Sequence, residues 1–231
     1  MSRDPIELHR VAVVLARGGS NRLPKKNLLE LSGKSISVIA TEVGVVAGLS
    51  TYISSDSLEI LGLEYSAEVV KSLRPNEFAQ DDSTSEEAVL ELARKYNWSD
   101  ETEVILLPPT SPLRTAAHLE TFLRIWDSEY FPRGYEQAIS VVRSNQDFWG
   151  IKDNDSYRIR NVLLGKIASR RSQERESFFI ETSAIYLSKL SKLRSGAGFT
   201  DGKLALIELP KISAIDIDDL EDFEIAKKLF E

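Results

Sequence analysis

The sequence predicts an α/β protein with a doubly wound, mixed but mainly parallel sheet, and three features predict it. Val11 to Ala16 is a run of small or branched apolar residues without alternation, as in a strand buried on both faces. Short apolar runs then alternate with segments of helical spacing along the chain. The runs end abruptly in glycine, serine or proline, which puts loops at the carboxyl ends of strands, where open α/β sheets bind ligands.

The elements follow in order. Ile36 to Val46 has the spacing of a helix packed on a sheet, and Thr51 to Ser55 reads as a second strand. Asp56 and Ser57 are placed to cap a helix over Leu58 to Tyr65, before a brief strand at Ala67 to Val70. Ser83 to Ser85, followed by Glu86 and Glu87, reads as the start of a helix running to about Tyr96, with Ser83 or Ser85 as its cap. Val104 to Leu107 is a buried strand that stops at Pro108 and Pro109, leaving Thr110, Ser111 and Arg114 on the loop beyond it. A helix from Ala116 to about Trp126 and a strand at Ala138 to Val142 come next. Arg143 to Ser183 changes character, carrying Trp149, several arginines and no strong period until Phe178, and reads as an excursion from the sheet. Within it, Ile159 to Ile167 fits a strand or a helix. The sheet resumes at Ala184 to Leu187 and Leu204 to Leu209, and Leu220 to Phe230 is an amphipathic closing helix.

With 231 residues, 42% hydrophobic and 28% charged, the chain suits one large α/β domain, residues 1–231, with a small appendage. A net charge of −7 argues against general nucleic-acid binding, which needs a surface excess of Lys and Arg. No cysteine is present, which excludes disulfides, thiolate zinc sites and cysteine nucleophiles. The polar start, Met1 to Arg10, and the absence of a long apolar span predict a cytoplasmic protein with no membrane partner. The two histidines, His9 in an expected mobile start and His118 on a helix surface, fall outside every motif and argue against a histidine triad.

Chemistry concentrates in two places. Directly after the first strand come Arg17, Gly18, Gly19, Ser20, Asn21, Arg22, Pro24, Lys25 and Lys26. Glycines let backbone N–H groups approach a ligand, and the exposed cations offset a polyanion, so the loop suits phosphates; a solvated basic turn is the alternative. Near the other end, Asp216 and Asp218 sit two apart in an apolar-flanked stretch that, read as a strand, sends both carboxylates to one face. Such a pair fits Mg²⁺, which takes one or two carboxylates plus substrate phosphates. The alternative is a cap cluster for the last helix.

LARGGSNRLPKKN, from Leu15 to Asn27, resembles the signature of the CMP-sialic acid synthetases, or acylneuraminate cytidylyltransferases, close to ARxGSKxxPxKN. Four further segments recur in family order: SSDS at Ser54, RPNEFAQDDSTS at Arg74, PTSPLRT around Thr110 and IDIDDLEDFEIA at Ile215. The resemblance implies a Rossmann-like nucleotidyltransferase that joins CMP from CTP to an α-keto acid sugar. It implies that Ala16, Arg17, Gly18, Gly19, Ser20, Arg22, Lys26, Asn27, Arg74, Asp81 and Ser85 bind the nucleotide, and that Asp216 and Asp218 hold Mg²⁺. Arg17, Lys26, Asp216 and Asp218 then carry catalysis, and no general base is evident. Toward the sugar it implies Pro108, Thr110, Ser111, Thr182 and Tyr186, with Arg171 or Arg175 of the excursion suited to the sugar carboxylate because a planar guanidinium matches a carboxylate, and it makes residues 143–183 an arm of a homodimer or homotetramer.

The chain departs from the family on the sugar side. Pro108 stands where the family has glutamine before PTSP, and Thr182, Ser183, Ala184, Ile185 and Tyr186 stand where it has NGAIY. Asn21 replaces a usual lysine, with Arg22 beside it to restore the charge; Gln173 is a candidate to replace the lost amide contact at Pro108. Two rival readings are a cytidylyltransferase for eight-carbon keto acids such as Kdo, whose loop resembles PARYxSTRLPGKPL, and a CTP-binding module without turnover.

Overall fold

The computed structural model describes residues 9–20, 22–152, 155–165, 169, 171 and 174–230. Asn21, Gln173 and Ile167 lie outside the described residues. β1 (Arg10–Leu15) is the expected first strand; Val11 to Val14 are fully buried, and Ala16 extends its ladder by donating its N–H to the Ser54 carbonyl. A hairpin of β2 (Glu30–Leu31) and β3 (Lys34–Ser35) leads into α1 (Ile36–Val46), which has the predicted bounds. Gly44 lets α1 press on the sheet, because a Cβ there would stand 2.8 Å from the Ala12 methyl and 2.5 Å from Thr51 Oγ1.

β4 (Ser50–Ser55) is followed by α2 (Leu58–Leu61), which stops well before the predicted Tyr65 because Gly62 caps it. β5 (Val69–Leu73) lies later than the predicted strand, since its pairing with β4 runs from Thr51 opposite Val69 to Ser55 opposite Leu73. α3 (Ser85–Lys95) is capped by Thr84, not by either neighbouring serine: the Thr84 hydroxyl accepts the Glu87 N–H, and the Glu87 carboxylate accepts the Thr84 N–H. β6 (Glu103–Leu106) is buried throughout, and Leu107 adds one more ladder bond to Val13 before the prolines. α4 (Ala116–Ile125) widens into a π-type turn at Trp126, whose indole is fully buried. His118 forms the capping box of α4 with Thr115. His9 is tied to the sheet, with Nδ1 3.3 Å from Thr102 Oγ1 and its carbonyl accepting the Glu103 N–H.

β7 (Gln137–Ser144) outruns its predicted end, and a separate hairpin of β8 (Trp149–Lys152) and β9 (Asp155–Arg158) follows. The segment left open between strand and helix contains α5 (Ile159–Leu164). β10 (Phe178–Lys189) is far longer than Ala184 to Leu187, because its first half pairs with the overhanging end of β7. α6 (Leu190–Arg194), β11 (Leu204–Glu208) and α7 (Leu220–Phe230) complete the chain, the last with its predicted bounds.

The main sheet has seven strands in the order β11-β7-β10-β6-β1-β4-β5, all parallel except β10, which runs against both neighbours. One face is covered by α1 and α4 through Ala12, Val14, Ile53, Phe122 and Trp126, the other by α3 and α6 through Val11, Val13, Leu92 and Leu193. A third cluster joins α1 and α7 to Leu31 and Ile217. No helix among the described residues is long and apolar enough to cross a membrane.

One buried ion pair clamps the start of this sheet. Glu103 is fully buried, and its two oxygens accept from Arg10 Nε at 2.7 Å and Trp126 Nε1 at 3.0 Å; Arg10 also pairs with Asp127. Removing one partner of such a pair strands a buried charge. Arg10→Ala should therefore cost about 3 kcal/mol in urea unfolding, whereas Lys34→Ala, which breaks the exposed pair with Glu42, should stay within about 0.5 kcal/mol.

Candidate active site

β1 pairs with β4 on one side and β6 on the other, so the direction of winding reverses at β1. The crevice outside the carboxyl ends of strands at such a point is the ligand site of open α/β sheets. A cavity of about 620 Å³ opens there, walled by the loop after β1, the loop after β6 and the amino end of α3.

The loop after β1 is held from below. Gly18 is required by close approach, because a Cβ there would stand 2.8 Å from Ser57 Cβ; its N–H is not free for a ligand, as sequence suggested, but donates to Asp56 Oδ1 at 2.9 Å. Asn27 is buried; its Nδ2 donates to the Arg17 carbonyl at 2.8 Å, and its own carbonyl accepts from the Ser35 and Ser37 hydroxyls. It therefore braces the loop while bordering the cavity. Lys25 turns the chain with φ 55°, which brings Lys26 back toward the sheet.

All four described cations of the loop have acidic partners: Arg17 with Asp81 at 2.9 Å, Arg22 with Asp218 at 2.8 Å, Lys25 with Glu59 at 2.9 Å and Lys26 with Asp218 at 3.6 Å. Lys26 is not the exposed cation that its position in the sequence suggested. It is largely buried, and its ammonium donates to the Ile217 carbonyl at 2.8 Å.

Asp216, Ile217 and Asp218 lie outside every sheet, in a segment without regular structure rather than a strand. Ile217 is fully buried in the third cluster, and its N–H donates to the Thr110 carbonyl at 2.8 Å, so the flanking carboxylates are turned away from that cluster toward Thr110 and Lys26. Capping of α7 falls to Asp219 and Asp222, which bond each other's N–H groups. Asp216 Oδ1 is buried without a hydrogen-bond partner. Burial, reinforced by the charge of Asp218, raises the Asp216 pKa, while the Thr110 hydroxyl, Lys26 and Ser183 pull it down. An orphaned carboxylate oxygen beside a second carboxylate fits a hard divalent cation. Among the described residues no group of three or more His, Asp or Glu could hold a metal ion.

Of the sequence candidates, Arg17, Gly19, Ser20, Arg22, Lys26, Asn27, Arg74, Asp81, Ser85, Pro108 and Thr110 border the cavity. Arg74 is buried there, donating to the Ser54 hydroxyl and carbonyl, and burial lowers its pKa. Ala16 is fully buried in the strand ladder. Ser111 and Thr182 are also buried away from the cavity, the first donating to the Ser183 carbonyl, the second hydrogen-bonded to the Ser140 hydroxyl. Tyr186 is half-buried and donates to Glu181; Arg171 is exposed and pairs with Glu174 at 3.2 Å. Ser83 and Thr84, within the Asp81 to Ser85 stretch that the resemblance sets around the nucleotide, are also on the wall, while Leu15 and Pro109 were missed. The capping box of Thr84 and Glu87 marks the same place, since a helix amino end facing a cleft is an anion site.

Comparison with known proteins agrees with this geometry. The sequence profile of the cytidylyltransferase family matches residues 11–124. An N-acylneuraminate cytidylyltransferase of Streptococcus agalactiae serotype V is 27% identical over 220 residues, 92% of this chain and 51% of its own length. N-acylneuraminate cytidylyltransferase A of Danio rerio is 28% identical over 226 residues, 95% of this chain and 50% of its own length. The chain thus spans about half the length of the curated relatives it matches. Among solved structures, a CMP:2-keto-3-deoxy-manno-octonic acid synthetase has TM-score 0.65 at 16% identity, covering 95% of this chain and 97% of that one. A 4-diphosphocytidyl-2C-methyl-D-erythritol synthase from Anaerococcus prevotii has TM-score 0.62 at 12% identity, covering 96% and 98%. At these identities the likeness is one of fold, that of Rossmann-like nucleotidyltransferases. Over residues 11–124 the chain is thus similar to the cytidylyltransferase family, and its sheet topology fits that likeness.

Proposed function

We propose that this chain is a Mg²⁺-dependent cytidylyltransferase that joins CMP from CTP to the anomeric hydroxyl of a sialic-acid-like α-keto acid sugar and releases pyrophosphate. The observation that carries this reading is the meeting of the basic loop and the amino end of α3 at the switch-point cavity, with the Asp216–Asp218 segment outside the wall but tied to it through Lys26, Arg22 and Thr110. The names of the relatives supply the nucleotide and the sugar class.

The sugar oxygen attacks the α-phosphorus in line, forming the new P–O bond as the bond to pyrophosphate breaks. Catalysis of such a transfer is mainly positioning and neutralisation of phosphate charge. Arg17 and Arg22 exchange Asp81 and Asp218 for phosphate oxygens, and Lys26 adds its charge from beside Ile217. Gly19, Ser20 and the amino end of α3 offer backbone donors, while Arg74, Asp81 and Ser85 lie on the nucleotide side. Asp216 and Asp218 would hold Mg²⁺, which when bound offsets negative charge on the phosphate oxygens.

Arg17→Ala should weaken CTP binding roughly 10- to 100-fold in calorimetry, the loss of a charge-assisted hydrogen bond, with little change in unfolding midpoint, because its partner Asp81 is exposed. Unchanged CTP affinity would remove Arg17 from the site. Lys26→Ala should weaken CTP binding too, but with a loss of about 1 kcal/mol in stability from the Ile217 strap.

The preferred sugar differs from plain N-acetylneuraminic acid. Pro108 offers no side-chain donor on the wall after β6, where the family resemblance sets an amide at the sugar. A polar substrate group without its partner costs about 1–3 kcal/mol, so kcat/KM for N-acetylneuraminic acid should fall roughly ten- to a hundredfold below that for a deaminated or dideoxy-diamino acid. Pyrophosphate release from CTP across a sugar panel that includes Kdo measures this; N-acetylneuraminic acid or Kdo ranking first would refute it, and CTP binding without release would mark a module without turnover.

The working unit is a homodimer or a higher homo-oligomer, with residues 143–183 as the contact arm. Phe148, Trp149, Ile151, Val162, Leu163 and Phe179 are all exposed there, a concentration of apolar surface that favours burial against a second copy. Light scattering should give at least twice the 25.9 kDa chain mass; a monomer at high concentration would exclude it.

A further inference from the structure

β10 is not a regular strand. Its pairing with β7 shifts register between Glu181 and Tyr186, and inside that bulge Ser183 takes φ 52°, in the left-handed region where a residue with a Cβ is strained. Were the bulge only a way to bend the strand, glycine would adopt this conformation without penalty. Serine adds a hydroxyl, and the neighbours fix where it stands. Thr182 and Ala184 on either side are buried, with the Thr182 hydroxyl locked to Ser140 at 2.7 Å. The Ser183 carbonyl accepts from Ser111 Oγ at 3.1 Å, while the preceding carbonyl on that loop, Thr110, accepts the Ile217 N–H at 2.8 Å. Bulge and acidic segment are thus pinned to adjacent residues of one loop. So placed, the Ser183 hydroxyl lowers the pKa of the Asp216 carboxyl and of the Tyr186 phenol, against the burial that raises both, and the phenol itself donates to Glu181.

We propose that Ser183 is a positioning residue for Asp216: the left-handed bulge carries a hydroxyl that orients the carboxylate and leaves Oδ1 facing the cation position. This rests on the cytidylyltransferase reading, in which Asp216 holds Mg²⁺. Partners outside the ligand shell that orient a ligating group typically change metal affinity by 10- to 100-fold when removed. The strain at Ser183 then has a use, since it sits where an oriented carboxylate is needed.

The test uses Ser183→Gly, Ser183→Ala and Asp216→Asn in the full chain, with three readouts: Mg²⁺ titration in the presence of CTP by calorimetry, CTP turnover, and thermal unfolding. Ser183→Gly should raise the melting temperature by about 2–4 °C as the strain is released, yet raise the half-saturating Mg²⁺ concentration about tenfold and lower kcat, with KM for CTP within about threefold. Ser183→Ala should show the same Mg²⁺ and kcat defects without the gain in stability; if it fails to fold, the glycine variant carries the test alone. A stabilised Ser183→Gly protein with wild-type Mg²⁺ response, alongside an Asp216→Asn protein that has lost it, refutes the role of Ser183 and leaves the metal reading standing. An Asp216→Asn protein with an unchanged Mg²⁺ response overturns both.

Discussion

Parallel pairing of β1 with two neighbours is the constraint on which the rest of this molecule depends. With β4 on one side and β6 on the other, hydrogen bonds fix the carboxyl ends of three strands at one edge. The basic loop, the Asp56–Ser57 turn and the double-proline loop emerge there together, and none could meet the others in another register. Glu103 secures that register by gathering Arg10 and Trp126 on a fully buried carboxylate at the opposite end of the same strands. The cavity is therefore built by the sheet rather than by the loops that line it.

Charge at the cavity is held in ion pairs. An acidic chain concentrates cations in one loop and holds each described one against a carboxylate. Exposed pairs of this kind contribute little to stability. Lys26 differs because it is largely buried and strapped to the Ile217 carbonyl, which makes it a fixed charge rather than a mobile arm. The same strap ties the loop after β1 to the acidic segment near the other end of the chain, and Thr110 ties that segment to the loop after β6. Three distant parts of the sequence thus share one short network of hydrogen bonds.

Much of this was legible in the sequence because it rests on local rules. Val11 to Ala16 announced a doubly buried strand, and the bounds of α1 and α7 followed from helical spacing alone. The loop from Arg17 to Asn27 was legible as cationic from its residue types, and most of its members border the cavity. Asp216 and Asp218 flank a buried Ile217 but do not lie in the strand that their spacing suggested.

Other features were decided only when the chain folded on itself. The length of β10 depends on the overhang of β7, far away in sequence, and no local preference records it. Gly18 and Asn27 looked like ligand groups, but Asp56 and the Arg17 carbonyl reach them first. Ser111 and Thr182 carry hydroxyls that any motif would send to a substrate, yet burial turns both into internal hydrogen bonds. The sequence by itself determined the core strand β1, the bounds of α1 and α7 and which loop is cationic, because periodicity and residue chemistry act over a few residues. Tertiary structure alone decided which polar groups remain free for a ligand, because a buried donor or acceptor must find a partner and that partner comes from anywhere in the chain.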